Sequence, residues 1–130
     1  MIFAKTDIIN TIRKAWCAET ALDPEKWTPE RPETDQCAVT ALLVDDIYGF
    51  PVQRGVATLP DGSTDSHYWN DGVDLTIRQY PLGTTTELRE GPQGAEARAY
   101  LLSNPDVAKR YELLKQRYAE ISLQNGAAAA

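Results

Sequence analysis

The sequence has 130 residues, 42% of them hydrophobic and 25% charged, which is an ordinary globular composition and excludes a disordered or membrane-spanning class. A formal net charge of −6 argues against nucleic acid as a partner, because a negative surface repels the phosphate backbone. The sequence contains no run of about 18 apolar residues and no secretory leader pattern, so we expect a cytoplasmic protein with no membrane partner.

The length indicates one folded domain over residues 1–124, since a chain of this size can bury a sufficient core. The last residues, NGAAAA, predict a disordered tail over residues 125–130. From Thr6 to about Leu22, apolar residues recur at helical spacing and predict an amphipathic first helix. The following DPEKWTPERPETD contains three prolines and predicts a loop anchored by Trp27.

A second helix is predicted to begin at Cys37, after Asp35 and Gln36, with the sequence CAVTALLVDDIY. Its apolar residues cover much of the helix circumference, so we expect it to be central and buried. It should end near Tyr48 and Gly49, because glycine is the usual residue just past a helix end.

The next region predicts β-structure. Phe50 to Leu59 is rich in β-branched residues and ends at the turn sequence PDGS. SHYWNDGVDLTIRQY predicts a hairpin with its turn at Asp71-Gly72. In that register His67 and Asp74 lie on one face as diagonal cross-strand neighbours.

The C-terminal part is predicted to contain a loop, PLGTTTELREGPQG, a short helix, AEARAYLLS, and a long helix. Asn104 should cap the long helix and Pro105 should occupy its first position. One apolar face follows, made by Val107, Tyr111, Leu114, Tyr118 and Ile121.

Cys37, His67 and Asp74 form the candidate catalytic set. A helix N-terminus stabilises a thiolate, the single histidine of the chain can take and return a proton, and a carboxylate can orient that histidine. The alternatives are a buried cysteine that only fills space and an ordinary polar pair. A zinc site made by the same three residues is a further alternative.

Three other residues are candidates for oxyanion or substrate binding. Gln36 could complete an oxyanion hole with the backbone N–H of Cys37, or only cap the helix. Trp69 shares the predicted face of His67, and Trp16 lies on the first helix; both can equally be core residues. No cofactor signature is present, and Cys17 and Cys37 should stay reduced.

The amino-acid sequences of several segments are similar to those of the YunG-like family of small bacterial proteins. These segments are AWCAET, DQCAVTALLVDDIYGFPVQRG, SHYWN, GVDLTIRQYP and YLLSNPDVAKRYELLKQR. The resemblance spans nearly the whole chain. One departure is Asp35, where the family pattern before the cysteine is Gly-Gln-Cys.

The resemblance implies a papain-like or transglutaminase-like α+β fold, with a nucleophile-bearing central helix packed on a small antiparallel sheet and a C-terminal helix. Cys37, His67 and Asp74 stand at the positions of a Cys-His-Asp site. The expected function is a thiol-dependent hydrolase or acyltransferase acting on an amide or ester of a small molecule or peptide. The alternative is a binding or regulatory module with the same fold and no catalysis.

Overall fold

A computed structural model describes the backbone of residues 5–129 and the side chains of residues 7–125. Its α-helices are α1 (Lys5–Ala15), α2 (Cys37–Tyr48), α3 (Ala95–Leu102) and α4 (Pro105–Ala129). Its strands are β1 (Val52–Thr58), β2 (Thr64–Asn70) and β3 (Thr85–Leu88), which form an antiparallel sheet in the order β2–β1–β3. The predicted α+β class with a C-terminal helix is confirmed.

Helix α2 has the predicted bounds and is the centre of the domain. Residues 39–44 are all buried, because the apolar side chains surround the helix and every side of it meets another element. The helix ends where Gly49 adopts a left-handed φ of 72°. The N–H of Gly49 donates to the carbonyl of Asp45 at 2.8 Å, which satisfies one of the last helical carbonyls.

The first helix is shorter than predicted. It ends at Ala15, and a separate single turn of 3-10 helix covers Ala18–Thr20. The hydroxyl of Thr20 accepts a hydrogen bond from the N–H of Cys17 at 3.0 Å. Such side-chain bonds compete with helical backbone bonds and explain the break.

The proline-rich segment is a loop, as predicted, with one short 3-10 turn at Pro24–Lys26. The indole N–H of Trp27 donates to the carbonyl of Pro32 at 2.9 Å and holds the loop closed. This loop leads directly into the N-terminus of α2.

The predicted hairpin around Asp71-Gly72 is wrong in its second strand. The turn itself is present, since Asn70 and Val73 exchange backbone hydrogen bonds of 3.0 Å. After Val73, however, the chain leaves the sheet and forms turns and a 3-10 helix at Ile77–Gln79. The partner of β2 is instead β1, through a hairpin whose turn contains the PDGS sequence.

A local hydrogen bond explains why the second strand does not form. The Asp74 carboxylate accepts from the backbone N–H of Thr76 at 3.2 Å. This side chain-to-backbone bond two residues along the chain favours a turn over a strand. The alternation of apolar residues that suggested the strand is still used, because Val73 and Leu75 pack against the core from the turn.

Strand β3 lies inside the segment that was predicted to be loop. It pairs with β1 from Gly55↔Leu88 to Thr58↔Thr85. Each of its four side chains is exposed, so no apolar alternation distinguishes it from a loop in the sequence.

The long C-terminal helix begins as predicted. The Asn104 side chain accepts from the N–H groups of Asp106 and Val107 at 2.9 and 3.3 Å. Helix α4 then continues to Ala129, beyond the predicted domain end at residue 124, because alanine has the highest helix propensity. Residue 130 lies outside the described part.

The hydrophobic core lies between α2, the sheet and the flanking helices. Its buried residues include Ile12, Trp16, Leu42, Val52 and Leu114. Among the described residues, no helix combines the length and the apolar character that a membrane crossing requires.

Candidate active site

Cys37 is the first residue of α2 and is partly exposed. The first N–H groups of a helix have no partner within the helix, and together with the helix dipole they stabilise negative charge. Because the N-cap residue Gln36 makes no side-chain capping bond, the backbone N–H groups at this end remain able to bind an anion. The start of α2 therefore presents positive partial charge beside the Cys37 side chain.

His67 lies on β2 and contacts Asp74 directly. The two side chains are joined by a hydrogen bond of 2.7 Å between Nε2 and Oδ2. The pairing predicted from the sequence is therefore present, but through a different geometry. Asp74 reaches His67 from the turn after β2 and not from a neighbouring strand.

Two aromatic rings enclose the His67 imidazole. Trp69 stacks on it with ring centroids 5.4 Å apart, and Tyr80 meets it edge-on at 5.2 Å. The hydroxyl of Tyr80 donates to the Asp65 carboxylate at 2.8 Å, which fixes its ring. As a result His67 has no exposed surface, although it carries a titratable group.

The environment of His67 favours its charged form. Burial lowers the pKa of the imidazole, but the hydrogen bond to Asp74 and the nearby Cys37 side chain raise it more, to about 9. His67 is thus an imidazolium at neutral pH.

The second ring nitrogen of His67 points to the role of Cys37. Within the described residues, Nδ1 is buried and makes no hydrogen bond. A buried N–H without an acceptor is costly, and the Cys37 sulfur is close enough to influence the imidazole. With Nε2 bonded to Asp74, Nδ1 is the ring nitrogen that remains for an interaction with the Cys37 sulfur.

A chain of hydrogen bonds connects Asp74 back to the start of α2. Asp74 accepts from the N–H of Thr76 at 3.2 Å, and the hydroxyl of Thr76 accepts from the Gln79 amide at 3.3 Å. The amide oxygen of Gln79 accepts from the N–H of Asp35 at 3.2 Å. The turn that orients His67 and the residues before Cys37 are thereby held together.

Asn70 fixes the position of α2 against β2. This residue is buried at the end of β2, and its amide donates to the carbonyls of Ala41 and Phe50 at 2.8 and 3.0 Å. One side chain therefore links the strand that carries His67 to the helix that carries Cys37. Its importance could not be found from the sequence, where it appeared only as a residue before the turn.

The structure gives the surroundings of the three additional sequence candidates. Gln36 is buried and bonded to the Thr20 hydroxyl at 2.7 Å and to the Cys17 carbonyl at 3.0 Å. Trp16 lies in the core, with its indole N–H donating to the Thr40 hydroxyl at 2.8 Å. Trp69 contacts His67, but neither tryptophan nor Gln36 lines the cleft beside Cys37. These three side chains therefore pack behind the residues that line the cleft.

A cleft of about 400 Å³ opens beside Cys37. Its walls come from the residues before and at the start of α2, from β2, from the turn after it, and from α3 and α4. The lining side chains include Asp35, Cys37, Tyr68, Gln79, Tyr100 and Arg110. Gln79, Tyr100 and Arg110 carried no recognisable sequence signal, since each lies far along the chain from Cys37.

The zinc alternative and the predicted reduced state of the two cysteines can be compared with this geometry. Within the described residues, no three His, Cys, Asp or Glu side chains form a group that could hold a metal ion, which gives the zinc alternative no support. Cys17 and Cys37 are both free thiols.

Comparison with known proteins gives one family. The model of the family described as YunG protein matches residues 4–122, which is most of the chain. Searches of curated proteins and of solved structures gave no match.

Proposed function

Because the chain belongs to the YunG protein family and has a thiol, an imidazole and a carboxylate in one site, we propose that it is a thiol-dependent hydrolase or acyltransferase. The observation that carries this proposal is the buried His67, paired to Asp74 through Nε2 and influenced by Cys37. Cys37 would be the nucleophile, His67 the proton carrier and Asp74 the residue that orients the imidazole.

The proposed reaction has two steps. The Cys37 thiolate attacks the carbonyl carbon of an ester or amide and forms a carbon–sulfur bond, while the bond to the leaving group breaks and the leaving group takes the proton of His67. Water or an amine then attacks the thioester and gives its proton to His67, and Cys37 leaves as thiolate. Backbone N–H groups at the start of α2 would stabilise the oxyanion in both steps.

The arrangement also supports a finer structural proposal. A nucleophilic cysteine at the start of a central helix, followed by a histidine on an antiparallel strand, is the order in papain-like and transglutaminase-like enzymes. We propose that this domain uses the same arrangement of nucleophile and histidine, built on a smaller sheet. A reducing compartment such as the cytoplasm would keep the thiol active.

The test is alkylation of Cys37 by iodoacetamide at neutral pH, followed by intact mass, in a Cys17→Ala background. We expect His67→Gln to slow the reaction by about tenfold, because the imidazolium that stabilises the thiolate is lost. Trp27→Phe serves as a control, since it alters a loop residue outside the site.

An equal alkylation rate with and without His67, or a rate no faster than that of a free peptide thiol, would overturn the enzyme proposal. The binding-module alternative would then explain the cleft better, with Asp35 as a negative residue beside an unactivated thiol. An activated thiol would be followed by a screen of esters and amides.

A further inference from the structure

Arg110 is a charged residue that the proposed reaction does not use. It lies on α4, is only 6% exposed, and lines the cleft that contains Cys37. Its Nε donates to the Asp106 carboxylate at 2.9 Å, and its Nη1 donates to the carbonyl of Thr20 at 3.2 Å. These two bonds fix the plane of the guanidinium.

The remaining nitrogen of Arg110 is available to a ligand. Nη2 makes no hydrogen bond to any described residue, and it is not among the buried unpartnered atoms of the described part, which are the Tyr48 hydroxyl and His67 Nδ1. Since Arg110 lines the cleft and its Nε and Nη1 are already bonded, Nη2 is the nitrogen left for a ligand in the cleft. A guanidinium presented in a fixed orientation suits the binding of a carboxylate.

The charge of Arg110 is paired with a carboxylate that is open to solvent. Its carboxylate partner, Asp106, has a side chain that is 62% exposed, so water screens that ion pair. Among the described residues that line the cleft, Arg110 is also the only basic one. A ligand carboxylate in the cleft would compete with the exposed Asp106 for this guanidinium.

The wall next to Arg110 is apolar. Leu22 and Tyr100 are 64% and 54% exposed and both line the cleft, together with Leu101 and Val107. Exposed large apolar side chains that gather around one cleft indicate a site for an apolar group.

The acidic residues of the cleft set the direction of a bound molecule. Asp35 is two residues before Cys37, and Asp65 is two residues before His67; both line the cleft. Their charges disfavour a carboxylate close to the reacting carbonyl, whereas Arg110 favours one on the α4 wall. A ligand with a carboxylate must therefore hold it away from the bond that reacts.

We propose that the substrate is an acyl compound whose apolar chain ends in a carboxylate, and that Arg110 determines this specificity by binding the carboxylate. The apolar chain lies along Leu22 and Tyr100, and the reacting carbonyl lies at Cys37. This inference rests on the proposed function for the reaction but on the cleft alone for binding.

The kinetic test compares two matched p-nitrophenyl esters of hexanedioic acid, one with a free terminal carboxylate and one with that carboxylate as a methyl ester. We expect the wild-type kcat/KM to favour the carboxylate ester by about tenfold, the size of one charge-assisted hydrogen bond. Arg110→Gln should abolish the preference, and Asp106→Asn should increase it by removing the competing charge. Equal kcat/KM for the two esters in the wild type, with both values above those of Cys37→Ala, would overturn the inference.

A binding measurement separates this inference from the proposed reaction. Hexanoate and hexanamide are titrated into the wild-type protein and followed by NMR. We expect hexanoate to bind about tenfold more tightly, with the difference lost in Arg110→Gln and increased in Asp106→Asn. If neither ester is hydrolysed faster than by Cys37→Ala but hexanoate still binds selectively, the proposed reaction fails and the carboxylate site stands.

Equal binding of the two probes overturns the site whatever the kinetics show. Should Arg110→Gln fail to fold, the wild-type preference and its increase in Asp106→Asn decide the matter. The Asp106 substitution changes an exposed side chain and leaves Arg110 in place.

Discussion

His67 combines complete burial with a positive charge, which few residues in a small domain do. Trp69 and Tyr80 exclude water from its ring, and the charge persists because Asp74 accepts a hydrogen bond from Nε2 at 2.7 Å. The carboxylate that fixes the orientation of the ring thus also makes the charged form stable in the fold.

The raised pKa of His67 predicts how stability depends on pH. The folded protein holds this proton up to about pH 9, whereas an unfolded histidine loses it near its usual pKa of about 6.5. The stabilisation that this proton provides is complete below the pKa of the unfolded histidine. The free energy of unfolding then falls as pH rises from about 6.5 to 9, by at most about 1.4 kcal/mol per pH unit.

Urea unfolding across this pH range measures the effect, with His67→Gln as the comparison. The variant lacks the titrating group, so its curve should be flatter between the two pKa values. Parallel curves for the two proteins would show that His67 does not hold the extra proton.

Asp35 has an unusual backbone conformation, with φ at 59°, in which glycine meets no steric penalty. Asp35→Gly should therefore stabilise the protein, by up to about 1 kcal/mol, with part of the gain offset by the greater freedom of glycine in the unfolded chain. The free energy of unfolding in urea is the measurement.

Asp35→Ala is the matched control, because it removes the same carboxylate but keeps a Cβ at positive φ. It should be less stable than Asp35→Gly. Both variants should react faster at Cys37, since a negative charge beside the thiolate is removed. The reverse order of stabilities would mean that the steric penalty of a Cβ at this φ is smaller than the entropic cost of glycine.

At the scale of elements, the site depends on how closely β1, β2 and β3 approach. Gly55 on β1 is opposite His67 on β2, and it has no side chain to separate the strand from its surroundings. A Cβ there would overlap the carbonyl of Glu87 and the ring of Trp69. The absent side chain is what lets Trp69 lie over the sheet and stack on His67.

Gly55→Ala should therefore destabilise the domain by about 1–3 kcal/mol, as overpacking does, and should slow alkylation of Cys37 by displacing Trp69 from His67. Gly62→Ala is the control, because a Cβ at Gly62 meets no atom within 4 Å and only its φ of 87° is unfavourable. It should lower the free energy of unfolding by about 1 kcal/mol and leave alkylation unchanged. Unchanged alkylation in Gly55→Ala would show that Trp69 does not position His67.

For the whole molecule, the position of α2 is set by contacts on several sides. Arg98 on α3 donates to Asp45 and Asp46 of α2 at 3.0 and 2.7 Å and to the Tyr111 hydroxyl of α4 at 3.0 Å. Asn70 holds the same helix to β2. The packing of the domain therefore fixes the distance from Cys37 to His67.

The core and the candidate nucleophile should respond differently to truncation. Leu42 is fully buried, so Leu42→Ala should cost about 2–5 kcal/mol. Cys37 is partly exposed at the edge of the cleft, so Cys37→Ser should change stability by about 0.5 kcal/mol or less. Urea denaturation measures both. A Cys37→Ser cost as large as that of Leu42→Ala would mean that the cysteine fills the core.

Elements whose signals are local could be predicted from the sequence alone. The start and end of α2, the Gly49 end and the Asn104 cap each depend on a few neighbouring residues, which is why they could be predicted. The sequence also supplied the candidate site residues, because the chain has a single histidine and a cysteine at a helix start. The family match over residues 4–122 agrees with the resemblance that the sequence segments showed to that family.

The contacts between distant segments became visible only in the folded protein. The partner of β2 is β1, Asp74 reaches His67 from a turn, and Gln79 joins that turn to Asp35. Arg110 and Tyr100 reach the cleft from helices far along the chain. Long-range pairing depends on which surfaces compete for burial and hydrogen bonds once the chain is compact. The spacing of neighbouring residues does not reveal the outcome of that competition.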